Sequence, residues 1–422
     1  MPTTLPAELT DRVISECILD NNTLSNCAQV STNWLPASRH ALFKYIAFDT
    51  VTKFELFVDR VLHSDRTRPY LAGVLELYIT DRSSGIPQYG RVDTVKTVSS
   101  ACRLILYHLS GHLPRLESMF LWGINWELYP TPRPHEPLLL SQFPSLERLT
   151  LINCHFPSFQ FVRRALVALP RLSDLTLSTT SWPPPSPLQL SSIYTCTPTG
   201  PELRFLSIAP HDVGASTNGF LPWLSRTRSR HSLLNLNVGW LTPGTGAEFL
   251  EFIALVSSTL QTLSAPLTEE IPLSSLRHVE DLKLNLAAIS TWEALCVRLR
   301  EVECPVVRLQ VSPVASPEYT EWARPSVVRG VGLDDEDFGE LDAVLMNMRH
   351  LKEVTFFVSM PAQYEDTGMV LQSIWARLPK AHKQGVIVGA MLVIHHRHPS
   401  EYHDRRFHGQ PDITRTPAKA PR

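Results

Sequence analysis

Three stretches of this sequence align without a gap: Leu113 to Leu121 (LPRLESMFL), Phe143 to Leu151 (FPSLERLTL) and Leu169 to Leu177 (LPRLSDLTL). They begin 30 and 26 residues apart and share apolar residues at the first, fourth, seventh and ninth places. The same spacing recurs at Leu71, Val74, Leu77 and Ile79, at Leu276, Val279, Leu282 and Leu284, and at Met348, Leu351, Val354 and Phe356. Copies lacking the first apolar residue occupy Leu203, Leu206 and Ile208, Leu233, Leu236 and Val238, Leu260, Leu263 and Ala265, and Val306, Leu309 and Val311. In a chain that is 43% apolar, four fixed apolar positions coincide in about 3% of windows, so spacing alone carries little weight. The shared Pro-Arg/Ser-Leu core and the recurring period carry the inference that one structural unit repeats.

Between these segments lie apolar residues at helical spacing, as in Phe54, Phe57, Val58, Val61 and Leu62, or Phe249, Phe252, Ile253, Val256 and Leu260. The sets Trp292, Leu295, Cys296, Leu299 and Leu371, Ile374, Trp375, Leu378 follow the same spacing. Strand and helix in alternation admit a solenoid, a barrel or a doubly wound sheet. The strands decide among them. A sheet covered on both faces carries near-continuous apolar runs, whereas here the residue between paired apolar positions is polar at Thr150, Thr176, Ser207, Asn237, Lys283, Gln310 and Thr355. The expected fold class is therefore α/β, with one face of a parallel sheet meeting water. A length of 422 residues, more than one compact core usually serves, fits an elongated array. Over residues 70–394 the pattern resembles leucine-rich repeats in an irregular form. The asparagine usual after the strand is mostly missing, although Asn153 falls about where it belongs. That resemblance implies parallel strands on a concave face and helices outside. The run Pro183 to Pro187 reads as a rigid loop within the array.

The first fifty residues are different. Leu5, Pro6, Ala7, Glu8 and Leu9 read as a helix start, with Pro6 where a missing N–H costs nothing and Glu8 where the helix dipole favours a carboxylate. Leu9, Val13, Ile14 and Cys17 continue at helical spacing, and Asp20 to Thr23 breaks that helix and caps a second one carrying Leu24, Cys27, Ala28 and Val30. Trp34, Leu35 and Pro36 start a third. Three such helices bury little, and apolar residues on more than one side point to surface kept for a partner. The LPxEL opening, Val13 and Ile14, the apolar middle and the Val30, Ser31, Trp34 step resemble the F-box over residues 4–45, most closely fungal members in the run Trp34 to Arg39. Many relatives have cysteine where this chain has Ser31. The resemblance implies docking on a Skp-type adaptor and, through it, on a cullin-RING ubiquitin ligase, with Leu5 and Pro6 inserting and Leu9, Val30 and Trp34 packing at or beside the interface. The expected division is thus a helical module over 1–48, a repeat array over 49–394 and a disordered His/Arg/Pro-rich tail over 395–422.

Little else in the chain speaks of chemistry. A net charge of −2 provides no global field for nucleic acid or an anionic membrane. Seven scattered cysteines, with no CxxC pair, fit reduced thiols in the cytoplasm or nucleus, and the first residues lack the basic and apolar regions of a secretory signal. Gly244 to Gly246 lacks the residues of a phosphate loop. Asp334 to Asp337 has Phe338 and Leu345 where a calcium loop needs oxygen ligands, so it reads as an acidic helix start. His395, His396, His398, His403 and His408 read as a solvated tail broken by prolines. No cofactor, metal or active site is expected.

Recognition would then fall to the outward residues flanking the strand leucines. By alternation these include Phe120 and Trp122, Arg148 and Thr150, Asp174 and Thr176, Phe205 and Ser207, Asn235 and Asn237, Asp281 and Lys283, and Arg308 and Gln310. Aromatic and arginine side chains make the usual anchors, which selects Phe120, Trp122, Arg148, Phe205 and Arg308. The expected function is a substrate-recognition subunit of a Skp/cullin/F-box ligase that catalyses nothing itself. The alternative is a leucine-rich repeat scaffold that binds proteins without ubiquitin machinery.

Overall fold

A computed structural model describes residues 6–17, 20–81, 97–127, 136–184, 200–209, 219–239, 246–267, 271–286, 292–312, 335–361, 372 and 374–395. The chain opens with three short helices. α1 (Ala7–Glu16) follows Pro6, whose φ of −51° already suits a helix. The Asp20 carboxylate accepts the backbone N–H groups of Asn22 and Thr23, both at 3.0 Å, and caps α2 (Asn21–Val30). α3 (Leu35–Leu42) carries Pro36 in its first turn. Ile14, Leu24 and Ala41 form a small core against which Cys17, Trp34, Ala37 and Leu42 pack.

Only Phe43 and Lys44 separate α3 from the first strand. The Lys44 carbonyl accepts the amides of Leu75 (3.0 Å) and Glu76 (3.1 Å), and Phe43 stacks on Tyr70 with ring centroids 5.5 Å apart. The helical module is therefore fused to the sheet, with no intervening linker.

Among the described residues, twelve strands form one sheet, in which each pairs in parallel with its neighbours in sequence. They are β1 (Tyr45–Phe48), β2 (Glu76–Thr80), β3 (Ser118–Trp122), β4 (Arg148–Ile152), β5 (Asp174–Ser178), β6 (Phe205–Ala209), β7 (Asn235–Val238), β8 (Thr262–Leu267), β9 (Asp281–Leu286), β10 (Arg308–Ser312), β11 (Glu353–Pro361) and β12 (Ile387–His395). Sequential order without a switch of direction is a solenoid-like α/β arrangement. All three gapless segments supply strands, as do the weaker copies at β6, β7, β8 and β10. Ile46, Leu77, Met119, Leu149, Leu175, Leu206, Leu236 and Leu263 stand side by side in one buried row. Burying each such side chain contributes about 1.5–3 kcal/mol relative to exposure.

Helices cover that apolar face. α4 (Val51–Phe57, running on as a π turn to Leu62), α5 (Val98–Leu109), α6 (Phe159–Val167), α7 (Phe220–Leu224), α8 (Gly246–Val256), α9 (Trp292–Arg300) and α10 (Asp335–Asn347) send Phe54, Ile105, Phe159, Phe220, Phe249, Leu295 and Phe338 into the core shared with the strands. The side chains of Thr97 and Ser158 cap α5 and α6. Near the far end, the buried Asp342 carboxylate accepts the amides of Lys380 (2.9 Å) and Ala381 (2.8 Å), which fixes α11 (Pro379–Lys383) against α10.

One turn geometry repeats after the central strands. Gly123, Asn153 and Thr179 follow β3, β4 and β5 at equivalent places, with φ of 71°, 52° and 49°. Their amides extend the ladder by one bond each, to the carbonyls of Ile152, Ser178 and Ala209 at 2.8–2.9 Å. Glycine adopts this left-handed conformation freely and asparagine tolerates it, but a β-branched threonine is strained there. After β4 and β5 the next residue ties the turn to the preceding strand, as Cys154 Sγ donates to Leu121 O (3.4 Å) and Thr180 Oγ1 to Leu151 O (3.1 Å).

The sheet extends beyond the expected 70–394 span at both ends, because β1 precedes it and β12 finishes at His395. The strand at 45–48 lies within the segment assigned to the helical module, so hydrogen bonding makes those residues part of the sheet. The tail beyond 395, Pro185 to Pro187 and Gly244 to Thr245 lie outside the described residues. No disulfide links the described cysteines.

Two substitutions test this reading of faces and turns by urea denaturation. Leu175→Ala, at a fully buried position, is expected to cost about 2–5 kcal/mol, while its neighbour Thr176→Ala stays within about 0.5 kcal/mol. Equal losses would mean the two faces are misassigned. Thr179→Asn is expected to raise stability by about 1 kcal/mol by relieving the left-handed strain, and a drop in midpoint would contradict the turn geometry.

Candidate protein-binding surfaces

The outward face of the sheet is built in register rows, and its chemistry changes along the array. At β1 to β3 it is aromatic, with Tyr45, Tyr78, Phe120 and Trp122 half-buried. Across β4 to β8 one row is small and polar, with Thr150, Thr176, Ser207, Asn237 and Ser264, while the adjacent row carries Arg148, Asp174, Phe205, Asn235 and Thr262. An Asn237 Nδ2 to Ser207 Oγ bond of 3.1 Å joins two of them. From β9 to β11 the face is charged, with Asp281, Lys283, Arg308 and Glu353.

The five anchors expected from alternation all lie on this face but do not form one site. Phe120 and Trp122 share β3, and the Phe120 ring sits 5.5 Å from Tyr78. Arg148 is on the adjacent strand, exposed, with its guanidinium 4.0 Å from Glu117. Phe205 is three strands from Phe120, about 14 Å at ordinary strand spacing. Arg308 is at the other end, where its guanidinium forks onto Asp281, with Nε on Oδ1 and Nη2 on Oδ2 at 2.5 Å. That arginine is already paired, which lessens its use as an anchor.

Sequence reasoning missed Tyr45, Glu76 and Tyr78. The Tyr78 hydroxyl donates to Glu76 Oε2 at 2.5 Å, and burial, followed by that bond and the carboxylate charge, pushes the phenol well above its ordinary range. Burial and then the Glu76 charge raise Tyr45 as well. Tyr78 was accessible to the alternation argument, since it stands between Leu77 and Ile79. Tyr45 was not, because β1 lacks the repeat's opening apolar residues.

A second surface lies on the helical module. Leu9 and Val13, one turn apart on α1, are 50% and 48% exposed, and Val30 at the end of α2 is 66% exposed. Thr10, Ile14 and Cys17 turn inward instead, so α1 carries more apolar surface than its own module covers. Among the expected adaptor contacts, Pro6, Leu9 and Val30 are open, whereas Trp34 is half-buried against the small core. Leu5 lies outside the described residues.

Reactive groups are scarce on both surfaces. Burial pushes the Cys154 thiol up to about 12 and Cys304 to about 11, which keeps both protonated at neutral pH. His155 Nδ1 lies 2.6 Å from Ser181 Oγ, a contact that joins the turns after β4 and β5. Among the described residues, no group of three His, Cys, Asp or Glu side chains could hold a metal, and no helix is long and apolar enough to cross a membrane.

The exposure of Leu9 and Val13 makes a prediction about folding. The double variant Leu9→Asp, Val13→Asp should leave far-ultraviolet dichroism unchanged and shift stability by no more than about 0.5 kcal/mol, whereas Ile14→Asp, at 1% exposure, should unfold the module. Loss of helicity in the double variant would place those residues in the core. No protein-family model matches this chain, and no curated protein matches it.

Proposed function

We propose that this chain is the substrate-recognition subunit of a Skp/cullin/F-box type ubiquitin ligase. Its N-terminal helices would hold a Skp-type adaptor, and its outward sheet face would hold a target protein. The observation that carries this reading is the unspent apolar surface of Leu9, Val13 and Val30 on a module fused to the sheet with two residues between. A partner helix laid across those side chains would remove them from water at about 25 cal/mol per Å² of apolar surface. The sheet face supports the second half of the reading, because a wet row of aromatic, small polar and charged side chains can contact a protein by shape and hydrogen bonding.

In this reading the chain lowers no chemical barrier by its own groups. It converts the encounter between a target lysine and a charged transfer enzyme into a tethered event, so its contribution is effective concentration and orientation. The direct fusion of α3 to β1 favours that role, since the target is carried at a set distance from the adaptor.

A pull-down tests the proposal. The intact chain is expected to capture a Skp-type adaptor. The double variants Leu5→Asp, Pro6→Ala and Leu9→Asp, Val30→Asp are each expected to weaken capture by at least about tenfold without unfolding the sheet. An intact chain that binds no adaptor rejects the ligase reading and leaves a repeat scaffold that binds proteins on its own.

A further inference from the structure

The aromatic end of the outward face contains a carboxylate, Glu76, that no cationic side chain pairs with among the described residues. Glu76 is half-buried on β2 between Tyr45, its paired residue on β1, and Ser118 on β3. The Tyr78 hydroxyl bond of 2.5 Å fixes one oxygen, and among the described residues no lysine or arginine lies within ion-pair distance of either. Arg148, in the same row two strands away, turns to Glu117 at 4.0 Å. At the other end of that row the comparable carboxylate, Asp281, is matched by the forked Arg308. Of the four carboxylates in that row, Glu76, Asp174, Asp281 and Glu353, Asp281 is matched by an arginine fork, and Glu76 is the one that stands beside aromatic rings.

Two of those rings lie side by side. Tyr78 and Phe120 are tilted by 40° at 5.5 Å, a pose that leaves π surface unstacked, and Trp122 follows two residues along β3. A π face and a carboxylate both attract a cation, and both repel an anion. A neutral apolar group would gain only the buried area and would desolvate Glu76 without compensation. We infer that the β1 to β3 end of the outward face is a receptor for a cationic side chain, arginine or lysine, of a bound protein. The inference rests on the reading that this face binds a target and adds the chemistry of one anchor. Phosphate-bearing ligands are disfavoured at the same place by Glu76 and Glu117.

Panning short random peptides on phage against the full-length chain tests it. Peptides from the intact chain are expected to be enriched in arginine or lysine, and Glu76→Gln or Phe120→Ala should each reduce their binding about tenfold, while Lys283→Ala at the far end should not. Glu76→Gln keeps the size of a half-exposed side chain, so its effect reads charge and not folding. Replacing the enriched basic residue of a selected peptide by norleucine should cost a similar factor. Equal binding by the norleucine peptide, or enrichment unchanged in Glu76→Gln, overturns the cation site while leaving a target-binding face intact. Basic enrichment that appears only after Arg82 and Arg91 are replaced assigns the site to the chain's own arginines and also overturns it. Failure to select any binding peptide counts against the interaction face itself.

Discussion

The parallel ladder is the constraint on which the rest of the molecule depends. Each strand finds its hydrogen-bond partners only in the units before and after it, and the leucine positions fix the register, because a slip of one residue would turn the buried row to water. A parallel sheet usually hides both faces under helices. Here the described helices pack on one side, and the outward side chains of the described strands carry none of that core. Those outward positions are where the side chains change character from aromatic to small polar to charged, while the buried row stays aliphatic.

An open ladder also has ends, and ends expose unpaired backbone groups. At the N-terminal end β1 is only four residues long, and the helical module lies directly before it. Phe43 and Lys44 contribute to both: the phenylalanine stacks on Tyr70 of the first connection, and the lysine carbonyl accepts two amides that lead into β2. A module whose own core is Ile14, Leu24 and Ala41 gains its stability partly from that fusion. The same helices that lead into β1 also present Leu9, Val13 and Val30.

How far the fold was legible follows from where its signals sit. The segments at 113–121, 143–151 and 169–177 became β3, β4 and β5 because proline, leucine and the alternation all agree there. β1 escaped notice because a four-residue strand with Ile46 and Phe48 as its buried members carries no entry turn. α5 carries Cys102, Ile105, Leu106 and Leu109 at helical spacing, but no repeat motif adjoins its start to mark it. Alternation alone put Phe120 and Trp122 on the outward face, where they lie. It could not place Tyr45 or weigh Arg308, because those depend on register across strands: the partner of Arg308 is Asp281, 27 residues away, and only pairing brings them together.

The turns after β3, β4 and β5 show the balance between local preference and the repeat. The left-handed position is held by glycine, then asparagine, then threonine, in order of rising conformational cost. A strained threonine persists because the ladder over-determines it, with its amide bonded to Ala209 and the following Thr180 hydroxyl bonded to Leu151. The fold is therefore maintained by agreement among neighbours more than by any one residue's preference. The same logic explains how a sequence so irregular in spacing can still build a continuous face: each unit needs only to match the next, so outward side chains can diverge without disturbing the core. A surface of that kind suits recognition, where selectivity comes from particular side chains, while the buried leucines set only where those side chains stand.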